Sequence, residues 1–133
     1  MKIIDSHCHI HDKDFPIPQS EVFENMQNAE ISKAICIGEN LENSKLAVDF
    51  AIENSHKIEL FSAIGVHPHE AEKYDPKELI AELEQLSKKP KVVAIGEIGL
   101  DYFYENLNRE AQKTILKAQL ELARELNLPV SFH

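Results

Sequence analysis

Two apolar segments of the chain carry side chains that bind metals in proteins. The run KVVAIGEIG places Glu97 within an otherwise apolar stretch, and the amino-terminal segment IIDSHCHIH carries His7 and His9. Burying an unpaired carboxylate is costly, so Glu97 predicts a positive group beside it. Two imidazoles two residues apart on a strand share one face and can reach one cation. Alone, His7 and His9 are more typical of a surface histidine cluster, but Glu97 on a second strand favours a metal site.

Further histidines close apolar runs in the same manner. His133 ends LPVSFH, and His67 follows LFSAIGV immediately before Pro68. Active sites of barrel enzymes lie at the carboxyl ends of parallel strands, so we expect His133 to be a metal ligand and His67 to contact substrate. His69 and His11 are as compatible with solvated loops as with this site.

The elements that position these residues alternate between short apolar strands and amphipathic helices. Strand-like runs begin near residues 3, 33, 60, 91 and 128. Ser20, Asn40 and Asp75 are predicted to cap the first, second and third helices. This alternation predicts a parallel α/β sheet, and no glycine-rich phosphate fingerprint accompanies it. We therefore expect one domain over residues 1–133, comprising the first five strands and four helices of an incomplete (β/α)8 TIM-type barrel.

Composition narrows the functional classes. The net charge of −9 and the lack of a basic cluster argue against a generic polyanion binder, although a metal-dependent nuclease stays compatible with them. No membrane span or signal-peptide core occurs in the sequence, which predicts a cytoplasmic protein with no membrane partner. Cys8 and Cys36 are too few for a disulfide framework and are predicted to be free thiols, with Cys8 facing away from the histidines.

Four segments, DSHCHIH, GVHPHE, GEIGLDYF and LPVSFH, occur in the order in which similar signatures follow one another in TatD-type metal-dependent hydrolases. The chain resembles this DNase family of amidohydrolase-like TIM barrels over about the first half of the barrel, since a complete one needs about 250 residues. The resemblance implies two divalent ions, of zinc, manganese or magnesium. His7 and His9 would bind the first, Glu97 would bridge both, and His133 would bind the second.

The resemblance also implies a reaction, the metal-assisted hydrolysis of phosphodiester bonds in DNA as a transient substrate. Glu97 would be catalytic, and His67, Asp101 and Tyr102 would contact the substrate. The family pattern continues beyond the position of His133 with an arginine, a histidine ligand and an aspartate that this sequence does not contain, so we expect both ion sites to be incomplete.

Two other functions stay open, an amidohydrolase acting on C–N or C–O bonds and a non-catalytic metal-binding barrel fragment. The open sheet edges of a five-stranded piece also predict a homo-oligomer, or pairing with the missing second half of the barrel.

Overall fold

The chain forms one parallel sheet with helices along it, in a computed structural model that describes residues 2–56 and 58–133. The strands are β1 (Ile3–Cys8), β2 (Ile31–Ile37), β3 (Glu59–Ile64), β4 (Val92–Ile98) and β5 (Val130–Phe132). The helices are α1 (Gln19–Asn28), α2 (Leu41–Asn54), α3 (Pro76–Ser87) and α4 (Arg109–Leu126), with a 3-10 helix over Pro68–Lys73. Strand order is β1-β2-β3-β4-β5, and every pair is parallel. The predicted half-barrel fold is confirmed.

Helix starts follow the capping chemistry of the sequence. The Asn40 side chain accepts a hydrogen bond from the N–H of Asn43 at 2.9 Å. The Asp75 carboxylate accepts two N–H groups from the first turn of α3, at 2.9 and 3.1 Å. The caps at Asn40 and Asp75 are confirmed, and each supplies an acceptor to backbone groups that have no partner within the helix. The predicted Ser20 cap is wrong, because α1 begins at Gln19 after Pro18 and so includes Ser20. The 3-10 helix, which begins directly after His67, was not predicted.

Apolar side chains pack in two clusters between the sheet and its helices. One joins α3 and α4 to β3 and β4 and includes Leu83, Ile95 and Ile115. The other joins α1 and α2 to β2 and β3 and includes Phe23 and Leu60. The helices therefore cover one face of the sheet, as in a barrel wall. No helix in the described part of the chain is long and apolar enough to cross a membrane.

The sheet curls, so that its two edge strands approach each other. β1 and β5 lie at opposite ends of the strand order, yet the Ser131 hydroxyl lies 3.3 Å from His7 Nδ1. Both edge strands keep exposed apolar side chains, among them Ile4 at 59% and Phe132 at 56% exposure. Curling brings the carboxyl ends of distant strands together, which is what a site shared among strands requires.

Candidate metal centre

The carboxyl edge of the sheet gathers the four predicted metal ligands. His7 lies near the end of β1 and His9 just beyond it, Glu97 lies near the end of β4, and His133 directly follows β5. Because all strands run parallel, these strand ends share one edge. The curl of the sheet then turns the side chains toward one another.

The first group consists of His7, His9 and one oxygen of Glu97. The Nε2 atoms of the two histidines lie 3.3 Å apart. Glu97 Oε2 lies 3.3 Å from His7 Nε2 and 3.8 Å from His9 Nε2. Tetrahedral ligands at about 2.0–2.1 Å from a zinc ion stand about 3.3–3.4 Å from one another. The three atoms therefore have nearly the separations that a shared cation demands.

The second group lies on the other oxygen of Glu97. His133 Nδ1 is 2.9 Å from Glu97 Oε1, and His67 Nε2 is 3.1 Å from the same His133 nitrogen. His67 Nε2 lies 3.9 Å from Glu97 Oε1. The two carboxylate oxygens thus face separate histidine groups, one built on β1 and one on the ends of β3 and β5.

The chemistry of these donors fits a divalent metal. Glu97 is only 6% exposed, and within residues 2–56 and 58–133 its ion-pair partners are all histidines. Imidazole nitrogens turned toward one another and toward a carboxylate need a shared proton or cation between them. His9 Nδ1 is also buried without a hydrogen-bond partner in the described chain. Imidazole and carboxylate ligands together are typical of Zn²⁺ and Mn²⁺ sites.

His67 and Asp101 lie on the β5 side of this centre. Burial lowers the pKa of His67, and the neighbouring His133 lowers it further. The hydrogen bond between Asp101 and His69 holds the pKa of that carboxyl below its usual range, and the N–H of Phe103 adds to this effect. Asp101 Oδ2 also lies 3.5 Å from His133 Nε2. His67 and Asp101, two of the three residues predicted to contact substrate, therefore border the metal centre, while their role stays a prediction.

Tyr102, the third predicted substrate-contacting residue, has a different environment. Its ring lies under the Arg109 guanidinium, whose carbon is 4.8 Å from the ring centroid. No contact between Tyr102 and the histidine groups appears in the described chain. Its contact with substrate stays a prediction.

Two histidines that the sequence left undecided are structural neighbours of the site. His69 Nε2 hydrogen-bonds Asp101, which fixes the loop after β4 to the 3-10 helix. The His11 side chain is fully buried and its Nε2 lies 3.0 Å from Asn43 Oδ1, and burial lowers its pKa. His11 is therefore not a solvated loop residue, whereas His69 lies in the 3-10 helix with its side chain 36% exposed. In the sequence, His69 was marked only by its position two residues after His67.

Two buried glutamines of α4, missed in the sequence, fix the backbone beside the site. Gln119 accepts the N–H of Val66 at 2.8 Å and donates to its carbonyl at 3.1 Å. Gln112 makes the same pair of bonds with Asp101, at 2.8 and 2.9 Å. Each amide satisfies both backbone groups of a residue that the sheet cannot pair. Helix α4 thereby positions both Val66, which directly precedes His67, and Asp101, which borders the metal centre.

The two cysteines lie on neighbouring strands, away from the centre. Cys8 and Cys36 are register partners in β1 and β2, and both are free thiols, as predicted. Cys36 donates to Cys8, which lowers the pKa of Cys8 and raises that of Cys36. Cys8 also donates to the Ile35 carbonyl at 3.3 Å, on the side opposite His7. The thiols act in packing rather than as ligands.

Comparison with known protein families gives a match over nearly the whole chain. The family model described as TatD related DNase matches residues 4–133. The chain belongs to this TatD family. The resemblance carried by the four sequence segments is thereby confirmed.

Similar proteins occur in several bacteria. The uncharacterized metal-dependent hydrolase YabD of Bacillus subtilis is 30% identical over 98% of this chain and 50% of its own length. A 3'-5' ssDNA/RNA exonuclease TatD of Erwinia tasmaniensis is 36% identical over 90% of this chain and 45% of its length. The crystal structure of the TatD homologue YjjV from Escherichia coli K12 aligns with TM-score 0.80 and 35% identity, over 98% of this chain and 49% of that one. The chain thus spans about half the length of the relatives it matches.

Proposed function

We propose that this TatD family member hydrolyses phosphodiester bonds in DNA, using divalent ions held at the carboxyl edge of its sheet. The observation that supports this most directly is that the two carboxylate oxygens of Glu97 face different histidine groups. Oε2 faces His7 and His9, whereas Oε1 faces His133 and His67. A carboxylate placed between two histidine groups is suited to bridging two ions, the arrangement used by many phosphodiester hydrolases.

The proposed role of each residue follows from its position in the site. When bound, the ions would supply Lewis-acid stabilisation of charge on the phosphoryl, attacking and leaving oxygens. His7, His9 and Glu97 would hold the first ion, and His133 with Glu97 the second. Asp101 lies at the rim, held by His69 and by the backbone contacts of Gln112, where it would orient the substrate. Zn²⁺ or Mn²⁺ suits this ligand set better than Mg²⁺, which prefers oxygen.

We further propose that additional strands complete the barrel and the second ion site. Within residues 2–56 and 58–133, β1 and β5 each pair on one side only. Their free edges would accept strands from a second half of the barrel or from a second copy of the chain. A cytoplasmic location is also proposed, since Cys8 and Cys36 stay free although they are register partners.

A time course with an end-labelled single-stranded oligonucleotide tests the proposed activity. We expect a version extended to a complete barrel to cleave DNA with Mn²⁺ or Zn²⁺, and Glu97→Gln to abolish cleavage. The 133-residue chain should cleave slowly or not at all, because its ligand set is incomplete. His56→Ala, which changes an exposed histidine, is the matched control and should retain activity.

Two results would contradict the proposal. Cleavage that persists in Glu97→Gln would show that this carboxylate is not part of the catalytic centre. Glu97-dependent hydrolysis of a cyclic amide or a lactone, with no action on DNA, would instead establish the amidohydrolase alternative.

A further inference from the structure

The loop between β4 and α4 exposes three aromatic side chains next to the metal centre. Phe103 is 84% exposed, Tyr104 49% and Tyr102 38%. The loop is anchored, because Gln112 pairs with both backbone groups of Asp101 and the Asp101 carboxylate accepts the N–H of Phe103 at 2.9 Å. Grouped exposed aromatic side chains on an anchored loop indicate a binding surface.

These rings connect by contact to the site. The rings of Phe103 and Tyr104 meet edge to face, with centroids 5.0 Å apart. Tyr104 meets His69 in the same way at 5.2 Å, and His69 hydrogen-bonds Asp101. A ligand lying on Phe103 and Tyr104 would therefore extend directly to the rim of the metal centre.

A positive charge accompanies the rings. The Arg109 guanidinium lies over Tyr102, with 4.8 Å between its carbon and the ring centroid. In the part of the chain that the structure describes, Arg109 has no ion-pair partner. In a chain of net charge −9, such a guanidinium beside exposed rings matches the aromatic and cationic groups that single-stranded nucleic acids require.

The position of the rings argues against a role in closing the barrel. The open edges of the sheet are β1 and β5, and the exposed apolar side chains of Ile3, Ile4 and Phe132 lie there. The aromatic loop instead follows β4, which is paired on both sides. Strands added at the open edges would not need to cover Phe103.

We propose that Phe103 and Tyr104 form a base-stacking subsite for single-stranded nucleic acid, with Arg109 contacting the phosphate backbone. This proposal rests on the proposed nuclease function for the identity of its ligand. The subsite would direct the strand toward Glu97 without regard to sequence, because every base offers a flat face for stacking. Stacking on one aromatic side chain strengthens binding by about 5- to 150-fold.

Binding of a fluorescein-labelled single-stranded oligonucleotide, measured by anisotropy in EDTA, tests the subsite without catalysis. Phe103→Ala and Tyr104→Ala should each weaken binding by about 5- to 150-fold. Phe103→Tyr should retain it, since the ring is kept. Ile52→Ala, which truncates an apolar side chain of 42% exposure on α2, is the control and should bind as the parent chain does.

An abasic oligonucleotide of equal length separates stacking from charge. It should bind the parent chain more weakly than the normal strand, and Phe103→Ala should not weaken its binding further. Equal affinity of the parent chain for both strands, or unchanged affinity in both alanine variants, would overturn the subsite. A smaller sedimenting species for Phe103→Ala with unchanged DNA affinity would likewise overturn it and assign the rings to contacts between copies.

The stacking subsite and the nuclease function can be refuted independently of each other. Ring-dependent binding together with the absence of cleavage by the complete barrel would support the stacking subsite while removing the nuclease function. Glu97-dependent cleavage together with binding that ignores Phe103 would do the reverse.

Discussion

Replacing Gln119 by leucine tests how α4 holds the chain segment that carries His67. Gln119 is fully buried. Its amide accepts the Val66 N–H at 2.8 Å and donates to the Val66 carbonyl at 3.1 Å. Val66 directly precedes His67, so these two bonds fix the backbone next to a residue of the candidate site.

The expected loss follows from the groups left without partners. Leucine fills a similar space but can neither donate nor accept. Each buried backbone group without a partner costs about 1–3 kcal/mol, so Gln119→Leu should lower the free energy of unfolding by about 2–6 kcal/mol. Gln112→Leu should cost less, because its bonds to Asp101 are only partly buried and water can replace the amide.

Urea unfolding followed by circular dichroism measures these differences. Gln85→Leu, on the exposed side of α3, is the matched control and should unfold like the parent chain. We expect stability to fall in the order control, Gln112→Leu, Gln119→Leu. A Gln119→Leu variant as stable as the control would refute the reasoning, because the buried amide would then contribute nothing to the fold.

Two further predictions concern packing and assembly. Gly96→Ala should lower the free energy of unfolding by about 1–3 kcal/mol, because a Cβ at this position would lie 2.7 Å from both Cβ and the carbonyl oxygen of Ser131; unchanged urea unfolding would show that β5 shifts freely. In sedimentation velocity the chain should run larger than its 15.1 kDa, because both sheet edges are open; a clean soluble monomer would count against the proposed pairing.

The strand and helix order was predictable because each element carries its own signal. Apolar runs mark β2, β3 and β4, and Asn40 and Asp75 mark helix starts by local capping. The placement of the site at the carboxyl edge of the sheet followed from the parallel arrangement of the strands alone. Local patterns therefore determine which strand ends carry His7, Glu97 and His133.

Contacts between distant segments were not predictable in this way. His11 is buried because Asn43, from the start of α2, meets its ring, and nothing in the segment HIHDK encodes that partner. His69 likewise meets Asp101 only through the fold. The division of Glu97 between two histidine groups depends on the curl of the sheet, which the sequence pattern does not specify.

The glutamines of α4 are an intermediate case. Gln112 and Gln119 are spaced seven residues apart and share a helix face with Ile115 and Leu122. Polar residues at such positions are detectable in the sequence. Their function could not be predicted from the sequence, because their partners are backbone groups of Val66 and Asp101 that lie outside the regular pairing of the sheet.

Metal binding to the isolated chain tests the central claim that Glu97 and the β1 histidines form a metal site. Metal-free protein would be titrated with Zn²⁺ or Mn²⁺ by calorimetry, and bound metal would be counted after dialysis. The parent chain and His56→Ala should each bind about one divalent ion per chain, whereas His7→Ala and Glu97→Gln should lose it. Unchanged metal content in both His7→Ala and Glu97→Gln would contradict the account.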